Sequence, residues 1–117
     1  MNILFICSRN QWRSPTGEQV WRKYFAQYPS FNVRSAGTSP RARRTVSLAD
    51  IRWADVIFAM EDKHQQRLKA EFRQLLNYKA IKVLGIPDDY QYMDPELVEI
   101  FEAEAEAFLA EHEDELG

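Results

Sequence analysis

The sequence predicts an α/β fold, a doubly wound four-stranded parallel sheet with helices on both faces. Three observations carry this. Short apolar runs alternate along the chain with segments of helical spacing, the order that builds parallel sheets. The strand candidates at residues 2–6 and 55–60 carry continuous apolar runs rather than alternation, as in strands buried on both faces. Proline and capping residues stand at the expected helix starts.

The elements follow in order. Asn2-Ile-Leu-Phe-Ile6 is the first strand candidate. Cys7 to Ser14 links it to a helix whose first turn holds Pro15 and whose Gly17, Val20, Trp21, Tyr24, Phe25 and Tyr28 recur at helical spacing. Pro29 and Ser30 stop that helix. Phe31 to Ser35 reads as a second strand, and Ala36 to Arg44 as a loop rich in Gly, Pro, Ser and Arg. A helical turn is expected around Ser47 to Trp53, then a third buried strand over Asp55–Met60. Asp62 with Gln65 resembles a capping box, opening a helix whose stripe is Leu68, Phe72, Leu75 and Leu76. Ile81 to Leu84 is the fourth strand and Ile86 to Met93 a loop. Asp94 caps a last helix with Pro95 at its first position, burying Leu97, Ile100, Phe101, Phe108 and Leu109.

The 117 residues fit one domain, 1–117, with no repeat or linker inside it. Apolar residues at 45% and charged residues at 28% exclude a disordered chain, and no run approaches the ~20 apolar residues of a membrane span. The start lacks the pattern of a secretory signal, and one cysteine cannot form an internal disulfide, so a cytoplasmic, reducing location is expected. Charge is uneven: all 15 Lys and Arg precede residue 86 beside six acids, and the rest of the chain holds 12 acids and no Lys or Arg. An acidic last helix with a solvated outer face explains this better than a nucleic-acid surface, because the basic residues are scattered and the net charge is −3.

The chemistry is expected in Cys7-Ser8-Arg9-Asn10-Gln11-Trp12-Arg13-Ser14. In open α/β sheets ligands bind beyond the strands' carboxyl ends, where helix N-termini present unpaired N–H groups. A loop of this length can wrap its N–H groups around a phosphate dianion, and Arg13 brings a planar fork suited to two of its oxygens. Cys7 then lies beneath the anion, where the helix dipole and a fixed cation favour the nucleophilic thiolate. His64 and His112 lack further ligands at metal spacing and read as solvated helix residues. Trp21, Tyr24, Phe25 and Tyr28 read as core or helix surface rather than a stacking platform. Arg41, Arg43 and Arg44 either attract an acidic phosphopeptide or are simply solvated.

Cys7 to Pro15 resembles the signature loop of the low-molecular-weight protein tyrosine phosphatases, Cys-x-Gly-Asn-x-Cys-Arg-Ser-Pro. Ser35-Ala-Gly-Thr38, Asp55 to Met60 and Ile86-Pro-Asp-Asp-Tyr90 resemble, in the same order, that family's Ser-Ala-Gly-Thr stretch, its Asp-x-Ile-x-x-Met strand and its Asp-Pro-Tyr acid loop. The resemblance implies a low-molecular-weight-phosphatase-like fold and a cysteine-dependent phosphomonoesterase of phosphotyrosine-like aryl phosphates, working through a phosphocysteine with no metal or cofactor. Cys7 would attack phosphorus, Arg13 would bind the phosphoryl oxygens with Ser8 to Ser14, and Asp88 would be general acid, with Asp89 standing where the family has proline. Asn10, Ser14 and Ser35 would support the loop, and Tyr90 would be a pocket wall. The implied partner is a phosphotyrosine protein or a small aryl phosphate, with no nucleic acid or membrane; the sequence leaves the oligomeric state unknown.

The chain departs from the pattern at Arg9, for glycine, and Trp12, for the second loop cysteine. It is also short by about thirty residues between Thr38 and Arg44 against the usual domain size, a stretch that supplies an aromatic wall and a loop-supporting histidine. Arg41 or Arg43 is expected in its place, giving a shallower, more basic pocket. The rival readings are a phosphate- or phosphopeptide-binding module without turnover, an arsenate reductase, and a phosphocysteine carrier. A reductase usually needs further cysteines, and a carrier needs neither Arg13 nor Asp88.

Overall fold

The computed structural model describes residues 1–113. Four parallel strands, β1 (Asn2–Cys7), β2 (Asn32–Gly37), β3 (Val56–Ala59) and β4 (Ala80–Val83), lie in the order β2-β1-β3-β4. Successive side chains of a strand leave opposite faces, so β1 splits its apolar residues between two cores. Ile3, Phe5 and Cys7 join Trp21, Phe25, Phe58, Phe101 and Phe108 beneath α1 (Arg13–Tyr24) and α4 (Pro95–Glu111). Leu4 and Ile6 join Ile51, Ile57 and Leu68 beneath α2 (Leu48–Trp53) and α3 (Asp62–Leu76). The predicted doubly wound α/β fold is the one observed.

The first core is aromatic. Phe5 meets Trp21 edge-on with ring centroids 5.0 Å apart, and the Trp21 indole N–H donates to the Phe101 carbonyl at 3.0 Å. A Cβ on Gly17 would stand 2.6 Å from the Phe101 ring, so glycine lets α1 and α4 close on each other.

Element ends differ from the expectations in several places: β1 runs on to Cys7, β2 begins at Asn32, and β3 is confined to Val56–Ala59. The first helix stops at Tyr24 rather than at Pro29; Phe25 and Tyr28 keep the apolar spacing from a turn, where the Tyr28 N–H bonds to the Phe25 carbonyl at 2.9 Å. β2 extends through Ala36 and Gly37, assigned above to the loop. β4 begins and ends one residue early, at Ala80 and Val83. The cap of α3 is Glu61 rather than Asp62, with His64 in place of Gln65 completing the box. The cap of α4 stands as read, Asp94 accepting from the Glu96 N–H at 2.9 Å, and the structure adds a cap on α2, Ser47 accepting from the Asp50 N–H at 3.2 Å.

This topology positions the site. α1 leaves β1 toward one face and α3 leaves neighbouring β3 toward the other, so a crevice opens above their carboxyl ends. The register pairs Ile6 with Ala59, which sets Cys7 beside the β3–α3 turn. No helix of the described residues is long and apolar enough to cross a membrane.

Candidate active site

Cys7 is the last residue of β1 and is buried. Its Sγ lies 3.0 Å from Ser14 Oγ and accepts the Asn10 N–H at 3.3 Å. Asn10 has φ 55°, the left-handed conformation that asparagine tolerates better than most residues. Arg9, standing where the resembled pattern has glycine, is not among the residues of positive φ. The turn that needs an unusual backbone is one residue later, on a residue type that accepts it.

The loop backbone is held from outside. The N–H groups of Thr38, Ser39 and Arg43 donate to the carbonyls of Cys7, Ser8 and Arg9 at 3.0, 3.0 and 2.9 Å, and Arg43 Nε donates to the Asn10 carbonyl at 3.0 Å. Four successive carbonyls are thus fixed outward. Because a trans peptide sets its N–H opposite its carbonyl, the N–H groups that follow them turn toward the concave side, the arrangement that binds an anion. Gly37 makes the clamp possible: a Cβ there would fall 2.5 Å from the Ser8 carbonyl oxygen and 2.6 Å from Ala42 Cβ.

Side chains brace the same loop. Buried Asn10 donates through Nδ2 to Ser14 Oγ at 2.8 Å and to Ser35 Oγ at 2.9 Å, and Ser35 donates to Glu18. Arg43 Nη2 donates to Asn10 Oδ1 at 3.2 Å. Of the two arginines expected to stand in for the missing segment, Arg43 is therefore the one on the loop.

Arg13, at the start of α1, is 2% exposed. Its Nη1 pairs with Glu61 and donates to the Ile86 carbonyl at 2.9 Å, and its Nε lies 3.5 Å from Asp88 Oδ1. The hydrogen bond from Arg13 holds the Glu61 carboxyl below its ordinary range. Asp88 is 59% exposed, and Asp89 makes no ion pair among the described residues.

His64 overturns its sequence reading. Expected to be solvated, it is 1% exposed and belongs to the site. Its Nδ1 accepts the Glu61 N–H at 3.0 Å, so the proton of the neutral ring sits on Nε2, 2.8 Å from Ser8 Oγ. That bond directs the Ser8 hydroxyl hydrogen elsewhere. Burial, and then the Arg13 charge, push the His64 pKa down to about 4. Glu61 and His64 escaped the sequence reading, yet a signal was present: they open the helix after the strand next to Cys7 in a doubly wound order, where such turns meet.

The remaining candidates divide. Ser8 is half-buried, while Arg9, Gln11 and Trp12 are exposed along the loop. Tyr90 packs against the α1–α4 core with its hydroxyl 3.4 Å from Glu96, whereas Tyr92 lines a cavity of about 350 Å³ with Gln11, Pro15 and Arg43. His112, also expected to be solvated, stacks on Phe108 with centroids 4.0 Å apart.

A strand–loop–helix turn with a buried thiol at its floor and a buried arginine at its end, on a doubly wound parallel sheet, defines a class of small α/β domains. Within it, the model of the family described as low molecular weight phosphotyrosine protein phosphatase matches residues 2–47, which span β1, the loop, α1 and β2. The fold is shared with a low molecular weight protein tyrosine phosphatase from Streptococcus pyogenes (TM-score 0.76, 19% identity, 94% of this chain and 91% of that one). A Vibrio cholerae O395 low molecular weight phosphotyrosine phosphatase gives a TM-score of 0.77 at 19% identity over 98% of both chains. A Drosophila arginine phosphatase gives 0.77 at 23% identity, over 96% of this chain and 98% of that one. No curated protein matches the chain. These likenesses bear out the resemblance and the fold read from the sequence.

Proposed function

We propose that the chain is a cysteine-dependent phosphomonoesterase acting on phosphotyrosine-like aryl phosphates, in the reducing cytoplasm. The observation that carries the reading is the thiol of Cys7 beneath outward-pinned carbonyls, with buried Arg13 and Asp88 3.5 Å apart at the rim. The Cys7 thiolate attacks phosphorus while Asp88 gives its proton to the departing aryl oxygen, so a phosphocysteine and a phenol form. Asp88, now a carboxylate, takes a proton from water, and the hydroxide attacks phosphorus and expels the thiolate. Arg13 and the loop N–H groups meet the charge on the three equatorial oxygens. Ser14, hydrogen-bonded to Sγ, stabilises the sulfur when it attacks and when it leaves.

A second reading has one observation behind it: a protein of the same fold is described as an arginine phosphatase. Phosphoarginine would use the same nucleophile and acid, with a guanidine nitrogen taking the proton. Assays of p-nitrophenyl phosphate, a phosphotyrosine peptide and a phosphoarginine peptide decide between them. The expected result is turnover of the first two by the wild type and none by Cys7→Ser, which still binds phosphate. Undiminished turnover by Cys7→Ser overturns the mechanism, and binding without turnover by the wild type leaves a phosphate-binding module.

A further inference from the structure

We infer that the arginine-lined groove leading from the phosphate loop along the outer edge of β2 binds the acidic flank of a phosphorylated protein segment. The inference rests on the phosphatase reading for the phosphoryl group itself.

The cavity that Tyr92 and Gln11 share with Arg43 and Glu18 continues into one of about 480 Å³, lined by Glu18, Arg22, Arg34, Ser35, Arg43 and Arg44. Four guanidinium groups thus line one open depression that begins at the rim of the site. Two carboxylates answer them. Glu18 pairs with Arg22 at 2.7 Å, and the single buried carboxylate of Asp50 is shared by Arg44 and, at 3.6 Å, Arg34. Asp50 cannot turn further toward the groove, because its other oxygen accepts the Ser47 N–H and hydroxyl at 3.0 and 3.1 Å. Among the described residues, two positive charges remain uncompensated. Exposed Arg9 and Arg41 add two more at the rim, neither in an ion pair among the described residues.

This basic edge belongs to a chain whose net charge is −3, and Glu99, Glu102 and Glu106 stand exposed on α4. An anionic segment is therefore repelled by one part of the surface and drawn to another, the pattern that orients a ligand during approach. Two further observations favour an acidic peptide. The edge carbonyls of Val33 and Ser35 are taken by Arg22 and Arg44, so recognition here falls to side-chain charge rather than to an added strand. Beside the groove, the Arg34 guanidinium lies 4.1 Å from the Trp53 ring centroid, so that ring is not a free stacking platform for nucleic-acid bases, and Tyr92 is a single aromatic side chain rather than a row of them.

The test compares two phosphotyrosine peptides of equal length, one with Asp and Glu flanking the phosphorylated residue and one with Ser and Gly. The proteins are the wild type, Arg22→Gln/Arg34→Gln, and Arg22→Lys/Arg34→Lys, which keeps both charges and removes both guanidinium forks. The wild type should favour the acidic peptide about tenfold in kcat/KM at low salt, less at ~0.5 M salt. The Gln variant should lose about 3- to 10-fold on the acidic peptide alone, keeping its rate on p-nitrophenyl phosphate, and the Lys variant should retain the preference. Equal rates on both peptides, or a preference that survives the Gln changes, overturn the inference. So does an oligonucleotide that competes as well as the acidic peptide. Binding by Cys7→Ser separates the two levels: tighter binding of the acidic peptide that depends on Arg22 and Arg34, in a protein without turnover, supports the groove while the phosphatase reading fails.

Discussion

The two loops that meet over Cys7 are built in opposite ways. The phosphate loop is clamped: its carbonyls are bonded by the 38–43 segment, its Asn10 is buried in a web of Ser14, Ser35 and Arg43, and Arg13 is fixed by Glu61 and the Ile86 carbonyl. The loop from Ile86 to Met93 is tied at its ends, by the Ile86 N–H to the Met60 carbonyl at 2.8 Å and the Met93 N–H to Thr16 Oγ1 at 2.9 Å. Between those ties Pro87, Asp88 and Asp89 are exposed, and among the described residues the one polar contact of the Asp88 side chain is with Arg13 at 3.5 Å. On the proposed mechanism the difference separates two tasks. A cradle for developing charge works when its dipoles need no rearrangement, whereas a general acid must reach the leaving group and later address water.

That contrast predicts a division among variants. The largest loss is expected from Arg13→Ala, about 10³-fold or more on every substrate, since it removes a buried cation and leaves Glu61 without its partner. Arg13→Lys should not rescue it, because a point charge cannot replace the fork. Steady-state kinetics with a series of aryl phosphates checks both. Next comes Asp88→Asn, which should slow phenyl phosphate by ~10²–10³-fold and an activated nitrophenyl ester far less. Asp89→Asn should show no such dependence. If Asp89 carries it instead, the acid lies one residue later.

Smaller effects test the clamp. Arg43→Gln removes two bonds to Asn10 and should cost about 1–2 kcal/mol in denaturant unfolding, with a roughly tenfold rate loss that ignores the leaving group. Dependence on the leaving group would tie Arg43 to the acid rather than to the cradle. The smallest signature is His64. Its folded pKa of about 4 lies below the ordinary value, so stability is full above pH 6.5 and is lost as pH falls toward 4, while the unfolded chain takes up a proton the folded one refuses. Thermal melts from pH 7.5 to 4.5 should show that decline in the wild type and a weaker one in His64→Gln.

How far the sequence carried this account differs between the same regions. The cradle was legible because its signals are local: an apolar strand, a Cys-to-Arg spacing and a proline in the first helical turn. The cap at Asp94 was legible for the same reason. His64 was not, because helical spacing places it on a helix but does not show that this helix starts beside Cys7; that follows only from the strand order. The one-residue slip at the α3 cap has the same root, since Glu61–His64 and Asp62–Gln65 fit one spacing equally well and the site side chains decide between them. The backbone demand at positions 9 and 10 was also hidden, because residue type alone does not reveal which of the two turns left-handed.

The central claim is that the clamped loop presents Cys7 as a nucleophile. Acid quench of Asp88→Asn during turnover of p-nitrophenyl phosphate, followed by mass spectrometry of the intact chain and its peptides, tests it most directly. Loss of the acid that also activates water should let the intermediate accumulate, so the account predicts one phosphoryl group per chain, on Cys7. Turnover with no phosphorylated chain, or a phosphoryl group on any residue other than Cys7, would contradict it.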